Sequence, residues 1–551
     1  MAITKDYSEI LQPSDIKNYL ESKIDNSITS WDQIPGYQYF FGLKESVDMF
    51  VWALTNNKHI RFVHDSDVDG IGTYLITYGF LTHFRLPNCS IIITNRKEGY
   101  GFLPHHLDGM SEGDLIITAD NGITSHPACD AAREKKINVI ITDHHQQDEH
   151  RGKPYAFIIN PHQDGCTYPF KDINGTFVYW FFISAIVDRY QINLNMREYF
   201  LPELTLTTIS DVMPLTGINR FIVKEGLKYM NQNRQGTTNK LWLNTWLRKT
   251  KDPIITSDSL AFGFIPSLNA TGRLTKAEET AYYMVESDPF KSNEWLEYIN
   301  YLNDTRKQQQ FDLKNNIESN YGAWLANEFI LIPGSKDWPK GILGPTAGGL
   351  AERFNKPAIV LKESDCGTYY SGSGRSVGEV NILGLLKNNT FIDQNNTGGH
   401  KAACGVKLKK ENLNNFYWSL IEETRKLDRK LFENTGHVLG KLDLADIDWN
   451  LFKLIDSFEP FGQGFKRPQF LVKAKLKGVT KSRDGKHQFL VLDDGLGTIM
   501  RAAWFNSPEQ LKSGNTEILA VTIQHDAFKD PQKEKLILFV ESRANYIDWE
   551  D

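Results

Sequence analysis

The chain has 551 residues, 40% hydrophobic, 12% aromatic and 24% charged, which excludes a disordered or collagen-like polymer and leaves room for about three or four folded domains. Its 62 Lys and Arg stand against 68 Asp and Glu, a net charge of -6, so bulk charge does not advertise nucleic-acid binding and has to be read locally. No stretch approaches ~18 uninterrupted apolar residues, and the start, Met1-Ala-Ile-Thr-Lys-Asp-Tyr-Ser-Glu, lacks the basic-then-apolar secretory pattern. The expected location is the cytoplasm. Five scattered cysteines, Cys89, Cys129, Cys166, Cys366 and Cys404, form no C-x-x-C pair and read as reduced packing residues.

From about residue 44, helical patterns alternate with short β-branched runs: His59-Ile-Arg-Phe-Val, Ser90-Ile-Ile-Ile-Thr, Asp114-Leu-Ile-Ile-Thr, Asn138-Val-Ile-Ile-Thr and Ala156-Phe-Ile-Ile-Asn. This predicts an α/β layer with a mostly parallel sheet. Asp65, Asn95, Asp120, Asp143 and Asn160 follow these runs, and the carboxyl ends of such strands are where ligands bind, so the five should converge on one crevice.

Residues 291 to 322 hold no Pro or Gly before Gly322, with apolar positions at Trp295, Ile299, Leu302, Phe311 and Ile317. They predict a long, mostly solvated helix joining two lobes across a cleft. A second α/β unit follows, with strands at Phe329-Ile-Leu-Ile and Ala358-Ile-Val-Leu and a Gly-rich turn at Ser371-Gly-Ser-Gly-Arg-Ser. After a helical, charged stretch near 408 to 435, five short strands from Gln469 to Val540 predict a small OB-type barrel. The segmentation is 1–43 as an N-terminal extension, 44–290 as the first α/β domain, 291–325 as the connecting helix, 326–435 as the smaller α/β domain and 436–551 as the barrel.

The most informative string is His64-Asp65-Ser66-Asp67-Val68-Asp69-Gly70. Three carboxylates at spacing two, closed by a glycine, crowd hard oxygen ligands at a turn, and a divalent cation is their natural partner. A calcium EF-hand also opens this way, but its twelfth position here is Ile76 rather than Glu, and a strand rather than a helix precedes Asp65. Further clusters are Ala119-Asp120-Asn121-Gly122 and Thr142-Asp143-His144-His145. Taken singly, an Asp at a strand end is a helix cap and a lone His a core residue. Together with the first string they are too costly electrostatically without metal ions.

With Thr208-Ile-Ser-Asp211-Val-Met-Pro-Leu, this set resembles the DHH phosphoesterase family, named for the motif present here as Asp143-His144-His145. The resemblance implies that Asp67 and Asp69 bind one metal each, Asp120 bridges two, and His144 and Asp211 complete the second site, with Asp65 as a further ligand. It makes Asp120, Asp143 and His145 the catalytic residues, Asp143 orienting His144 and His145 touching the scissile phosphate. Two divalent ions, Mn²⁺ or Mg²⁺, would activate a water for in-line attack.

The family also holds pyrophosphatases and enzymes of short oligonucleotides and cyclic dinucleotides. Gly398-Gly399-His400-Lys-Ala-Ala-Cys-Gly405 and Ser371-Gly-Ser-Gly-Arg375-Ser look like its nucleic-acid-type accessory domain, DHHA1, although a lone G-x-G is by itself a tight loop. Three further segments, Asn95-Arg96-Lys-Glu-Gly-Tyr100-Gly, Pro266-Ser-Leu-Asn269-Ala-Thr-Gly272-Arg273-Leu and Phe458-Glu-Pro-Phe461-Gly-Gln-Gly464, resemble its RecJ-like branch. That resemblance implies a single-strand-specific 5′→3′ exodeoxyribonuclease of DNA repair and recombination that releases 5′-mononucleotides. Arg96, Arg273, Ser373, Arg375 and His400 would hold the terminal phosphate and first nucleotides. The partners would be single-stranded DNA and proteins such as a single-strand-binding protein or repair helicases, with no membrane and a monomeric enzyme.

The barrel supports the same choice from its own residues. Lys466, Arg467, Lys473, Lys475, Lys477, Lys481, Arg483 and Lys486 stand against Asp484 alone, a local +7. Alternate lysines also protect an exposed strand edge, but with Phe470, Phe489 and Trp504 for base stacking a single-strand platform accounts for more, with Lys473, Lys475, Lys477 and Lys481 as its phosphate contacts. Single-strand selectivity is expected from a channel too narrow for a duplex. His64 and Cys404 depart from the family pattern without removing a ligand. The rival readings are a short-oligonucleotide phosphodiesterase and a non-catalytic DNA-binding scaffold.

Overall fold

The computed structural model describes residues 11–96, 98–147, 151–387, 389–394, 397–432, 438–483, 485, 487–507, 509–526 and 535–544. They divide into two compact units, one of Leu20–Asn303 with Phe458–Lys466, the other of Met1–Tyr19, Asp304–Ser457 and Arg467–Asp551.

The first unit is built on five parallel strands, β1 (Ile60–His64), β2 (Cys89–Ile93), β3 (Leu115–Ala119), β4 (Asn138–Thr142) and β5 (Phe157–Ile159), in the order β2-β1-β3-β4-β5. Their continuous apolar runs follow from burial on both faces. Phe62, Ile117 and Ile140 join one core with the helices Leu43–Thr55 and Gly175–Tyr190, while Val63, Ile116 and Ile141 join another with the helix His126–Glu134. Register then places the functional residues. His64 lies opposite both Ile93 and Ala119, Ala119 opposite Thr142, and Thr142 opposite Ile159. The next residues, Thr94, Asp65, Asp120, Asp143 and Asn160, therefore leave the sheet in a row along its carboxyl edge. Chain order reverses about β1, which opens the crevice at Asp65 and Asp120.

A 32-residue helix, Pro289–Asn320, occupies the predicted connecting stretch and is about 48 Å long. Ile299, Leu302 and Ile317 are buried along it. The mixed sheet of the second unit runs β6 (Ile330–Gly334), β7 (Ala358–Glu363), β8 (Tyr369–Arg375), β10 (Ala403–Lys409), β9 (Gly398–His400). Two expectations are corrected here. Ser371-Gly-Ser-Gly-Arg375 is not a turn but strand β8, bonded to β7 on one side and β10 on the other. Its glycines serve close packing: a Cβ on Gly372 would meet the Val360 carbonyl at 2.1 Å, and one on Gly374 the Cys404 sulfur at 2.6 Å. Of the helix expected over 408 to 435, the described residues form the helix Leu413–Arg425, while Leu408 and Lys409 pair in β10 and Lys410–Asn412 and Arg429–Phe432 form 3-10 turns.

The predicted barrel is present. Strands β12 (Gln469–Lys481), β13 (Gln488–Asp493), β14 (Ile499–Trp504), β16 (Leu536–Ala544) and β15 (Thr516–His525) pair in that order, and β12 with β15 closes the ring. An unpredicted strand, β11 (Val438–Lys441), adds alongside β12. The expected stacking residues Phe470 and Trp504 are 0% and 3% exposed, so they pack the barrel and cannot stack bases, whereas Phe489 is exposed, as is Phe505. Cys129 and Cys404 are buried as expected of packing residues, but Cys366 is exposed; all five cysteines are unbridged. Among the described residues no helix is long and apolar enough to cross a membrane.

Candidate metal centre

Each acidic side chain at the sheet edge is held by a specific local device. Asp67 caps the helix Val68–His83, its Oδ1 accepting from the amides of Asp69 at 3.0 Å and Gly70 at 3.2 Å. Gly70 is required here, because a Cβ would lie 2.2 Å from the Asp65 carbonyl. Asp69, in the first turn of that helix, accepts from the first amides of the helix Gly175–Tyr190, Gly175 at 2.7 Å and Thr176 at 3.0 Å, so the positive end of the second helix offsets a buried carboxylate. Asp65 accepts from the Thr94 hydroxyl at 3.0 Å. Asp120 sits in the left-handed region at φ 63, and Val212, beside Asp211, at φ 55. For a β-branched residue such as Val212 that is strain stored next to a site.

These devices gather two donor sets. Oxygens of Asp65, Asp67 and Asp120 lie within 4.8 Å of one another, as do those of Asp69 and Asp211 with a nitrogen of His144. The His144 Nε2 lies 3.3 Å from Asp120 Oδ1, 3.5 Å from Asp211 Oδ2 and 3.9 Å from Asp69 Oδ2. Asp120 thus stands between the sets. Burial, with the charge of Asp67 added, pushes Asp65 up to about 6 and Asp69 to about 7. Burial and neighbouring carboxylates, Asp69 foremost, hold Asp120 and Asp211 well above the usual carboxylate range. Asp120 Oδ1 and Asp211 Oδ2 are buried with no hydrogen-bond partner among the described residues. Buried, crowded anionic oxygens of this kind are what a divalent cation satisfies, so the donor set fits the metal that the motifs imply.

Asp143 does something different from the expectation that it orients His144. Its Oδ1 accepts from His145 Nδ1 at 2.7 Å and from the main-chain amides of His144 at 2.8 Å and His145 at 3.1 Å, while Oδ2 accepts from Ile123 N at 2.9 Å. The ring it holds is that of His145. Burial works to raise Asp143, but the His145 charge and hydrogen bond hold it down at about 2. Burial works to lower His145, and Asp143 overcomes it and holds the imidazolium up to about 9. The Tyr100 hydroxyl lies 3.2 Å from His145 Nε2.

Of the predicted substrate residues, Arg96 reaches this edge, its Nε donating to Ser66 Oγ at 3.1 Å and its Nη2 lying 3.8 Å from Asp67. Arg273 is half-buried in the last turn of the helix Ile265–Leu274, where a Cβ on Gly272 would come within 2.9 Å of the Ser66 carbonyl. In the second unit, Ser373 and Arg375 are half-buried on one face of β8. His400 belongs to β9, and its side chain lies outside the described residues. On the barrel Lys475, Lys477 and Lys481 are exposed and Lys473 half-buried. Lys477 pairs with Asp493 at 2.8 Å. Asp484 and Lys486 lie outside the described residues. Sequence reasoning missed Thr94, Gly175 and Thr176. The signal for Gly175 and Thr176 was the Asn174-Gly-Thr string, an N-cap followed by bare amides.

Matches to known families and proteins fall on the same parts. Residues 59–201 match the DHH family, N-terminal domain, 325–426 the DHHA1 domain and 440–539 the RecJ OB domain. The chain belongs to the DHH/DHHA1 phosphoesterase family. It is 28% identical over 449 residues to the single-stranded-DNA-specific exonuclease RecJ of Bacillus subtilis, a match covering 80% of this chain but 55% of that protein. To the enzyme of the same name from Escherichia coli it is 26% identical over 456 residues, 79% of this chain and 78% of that one. The fold superposes on the crystal structure of RecJ in complex with Mn²⁺ from Thermus thermophilus with a TM-score of 0.73 at 21% identity, over 92% of this chain and 72% of the other. Within the family, then, this chain is RecJ-like.

Proposed function

We propose that this chain is a metal-dependent exonuclease that hydrolyses single-stranded DNA from the 5′ end to 5′-mononucleotides, with a role in repair or recombination. The observation that carries the reading is the pair of donor sets around Asp120, whose buried Oδ1 lacks a hydrogen-bond partner among the described residues. The substrate comes from the relatives, which are single-stranded-DNA-specific exonucleases by name, and from the RecJ OB domain match.

Asp65, Asp67 and Asp120 would hold one divalent ion and Asp69, His144 and Asp211 the other, with Asp120 shared. Mn²⁺ or Mg²⁺ bound there supplies a water of lowered pKa and neutralises charge growing on the phosphoryl oxygens. The protein's own groups do the rest. Amides at the start of the helix Gly175–Tyr190 keep Asp69 aimed inward. Asp143 holds the His145 ring and keeps it cationic at neutral pH, so that it can donate to the scissile phosphate. Arg96, anchored on Ser66, offers a charge-assisted donor for the terminal phosphate, and Arg273, Ser373, Arg375 and His400 supply further donors by their chemistry. On the barrel, the exposed side chains of Lys475, Lys481 and Phe489 suit a single-strand path.

The test is incubation with Mn²⁺ and single-stranded DNA labelled at either end. Mononucleotides should appear from the 5′ end of long strands, and EDTA should stop their release. Hydrolysis restricted to strands of a few nucleotides would favour the short-oligonucleotide phosphodiesterase, and binding without hydrolysis the scaffold.

A further inference from the structure

One buried polar side chain next to the acidic turn belongs to neither donor set. His64, the last residue of β1, is 0% exposed. Its Nδ1 lies 2.7 Å from the Thr73 hydroxyl, and that hydroxyl donates to the Gly70 carbonyl at 2.7 Å. A hydroxyl has a single proton, here committed to Gly70, so the His64 Nδ1–H is the donor to Thr73. The two bonds run from the end of the strand to the first turns of the helix Val68–His83 and bridge the stretch that carries Asp65, Asp67 and Asp69. The ring is held in place: it stacks on Phe62 at 6.4 Å between centroids and stands edge-on to Tyr74 and Tyr179, each at 5.9 Å. The His64 carbonyl accepts from Thr94 N at 2.8 Å, and the Thr94 hydroxyl is the group that donates to Asp65.

Packing does not call for an imidazole at this place. Phe62, Tyr74 and Tyr179 surround it, and its Nε2 is buried with no hydrogen-bond partner among the described residues, a cost that an apolar side chain would avoid. What the imidazole adds is the proton that it gives to Thr73. The turn needs such a tie, because Asp65, Asp67 and Asp69 repel one another until a cation is bound, and bonds in series in a dry surrounding strengthen each other. We infer that His64 is a positioning residue: through Thr73 it ties the turn Asp65–Gly70 in the arrangement that accepts a metal, so the affinity of the centre is set in part by a residue outside its donor set. The inference rests on the metal-dependent reading above and deepens it. It also gives a use to His64, the departure from the family pattern beside the first Asp.

The test pairs variants of matched shape. Thr73→Val and His64→Leu break the tie, while Thr73→Ser keeps a hydroxyl and His64→Asn an amide N–H near the position of Nδ1. Mn²⁺ affinity, read by titration calorimetry, should weaken about tenfold in Thr73→Val and in His64→Leu, and the double variant should lose no more than either one, since the two bonds act as a unit. The serine and asparagine variants should bind Mn²⁺ close to wild type. On a long single strand, the Mn²⁺ concentration for half-maximal turnover should rise by the same factor in the broken variants, with KM for the strand unmoved at saturating Mn²⁺. His64→Asn should nevertheless melt below His64→Leu, because an amide among aromatic rings costs more than an isobutyl group. Affinity that follows the melting temperature, with His64→Leu binding better than His64→Asn, would overturn the inference, as would an unaltered affinity in Thr73→Val. Should His64→Leu fail to fold, Thr73→Val decides alone, since it exchanges a hydroxyl for a methyl. Wild type that binds Mn²⁺ but cuts no strand would instead overturn the exonuclease reading, and is seen before any variant is made.

Discussion

Asp120 concentrates the chemistry of the site in one side chain. It stands between the two donor sets, carries a buried oxygen without a hydrogen-bond partner among the described residues, and is raised by burial and by its carboxylate neighbours. Asp120→Asn keeps the shape and removes the charge. Its Mn²⁺-dependent turnover should fall by about a thousandfold or more, while the metal-free protein should melt at a higher temperature than wild type because folding no longer has to force a proton onto a buried, crowded carboxylate. Activity and calorimetry on EDTA-treated protein check both. The same crowding sets a pH dependence. Asp69, pushed by burial and the charge of Asp67 to about 7 from an ordinary 3.8, binds protons more readily folded than unfolded, so it stabilises the fold at low pH and that contribution is lost as pH rises through about 7. His145, raised to about 9, has the same sign. His64, pushed down to about 3 by burial, opposes them below about 6.5. Metal-free protein should therefore be more stable at pH 6.5 than at 7.5, and Mn²⁺ should reverse the order because bound ligands must be deprotonated.

Single elements position these residues, and two of them can be tested apart from the chemistry. The helix Gly175–Tyr190 approaches so closely that a Cβ on Gly175 would lie 2.2 Å from Asp120 Oδ1. Gly175→Ala should weaken Mn²⁺ binding by at least about tenfold, measured by titration calorimetry, with far-UV circular dichroism unchanged since alanine favours the helix. On the barrel, exposure separates binding from packing. Phe489→Ala should lower single-strand affinity by about 1 to 3 kcal/mol without changing the melting temperature, whereas Phe470→Ala, at 0% exposed, should cost about 3 to 5 kcal/mol of stability. Both are read by fluorescence anisotropy and urea unfolding. Phe470 was expected to stack bases because a barrel strand normally has one wet face. Here β11 pairs alongside β12 and Phe470, Leu471 and Val472 are buried in succession, so periodicity alone could not assign the face.

Across the chain, the segment Phe458–Lys466 belongs to the first unit although its neighbours on both sides belong to the second. The buried Arg220 explains why. Its guanidinium donates to the carbonyls of Phe458 and Pro460, each at 2.7 Å, and lies 4.7 Å from the centre of the Phe465 ring. Leu215 N adds a bond to the Gln463 carbonyl at 2.7 Å. Removing the guanidinium leaves those carbonyls unsatisfied, so Arg220→Ala should cost about 2 to 4 kcal/mol and expose the segment to proteolysis, read by urea unfolding and by mapping the first cut. The Phe458-to-Gly464 motif was legible as a string. Its role as a clasp was not, because its partner lies more than two hundred residues away in the chain.

The order of strands and acids was written in local pattern alone. β-branched runs buried on both faces have to form a parallel sheet, and a parallel sheet has to present its strand ends along one edge, so Asp65, Asp120 and Asp143 could be gathered before any coordinates. Tertiary structure decided what depends on distance and side-chain direction: that Asp143 grips the ring of His145, that the first amides of a helix more than a hundred residues on hold Asp69, and that Gly372 and Gly374 make a strand rather than a turn. Periodicity reports which way a residue faces along its own element. Only packing reports what it meets there.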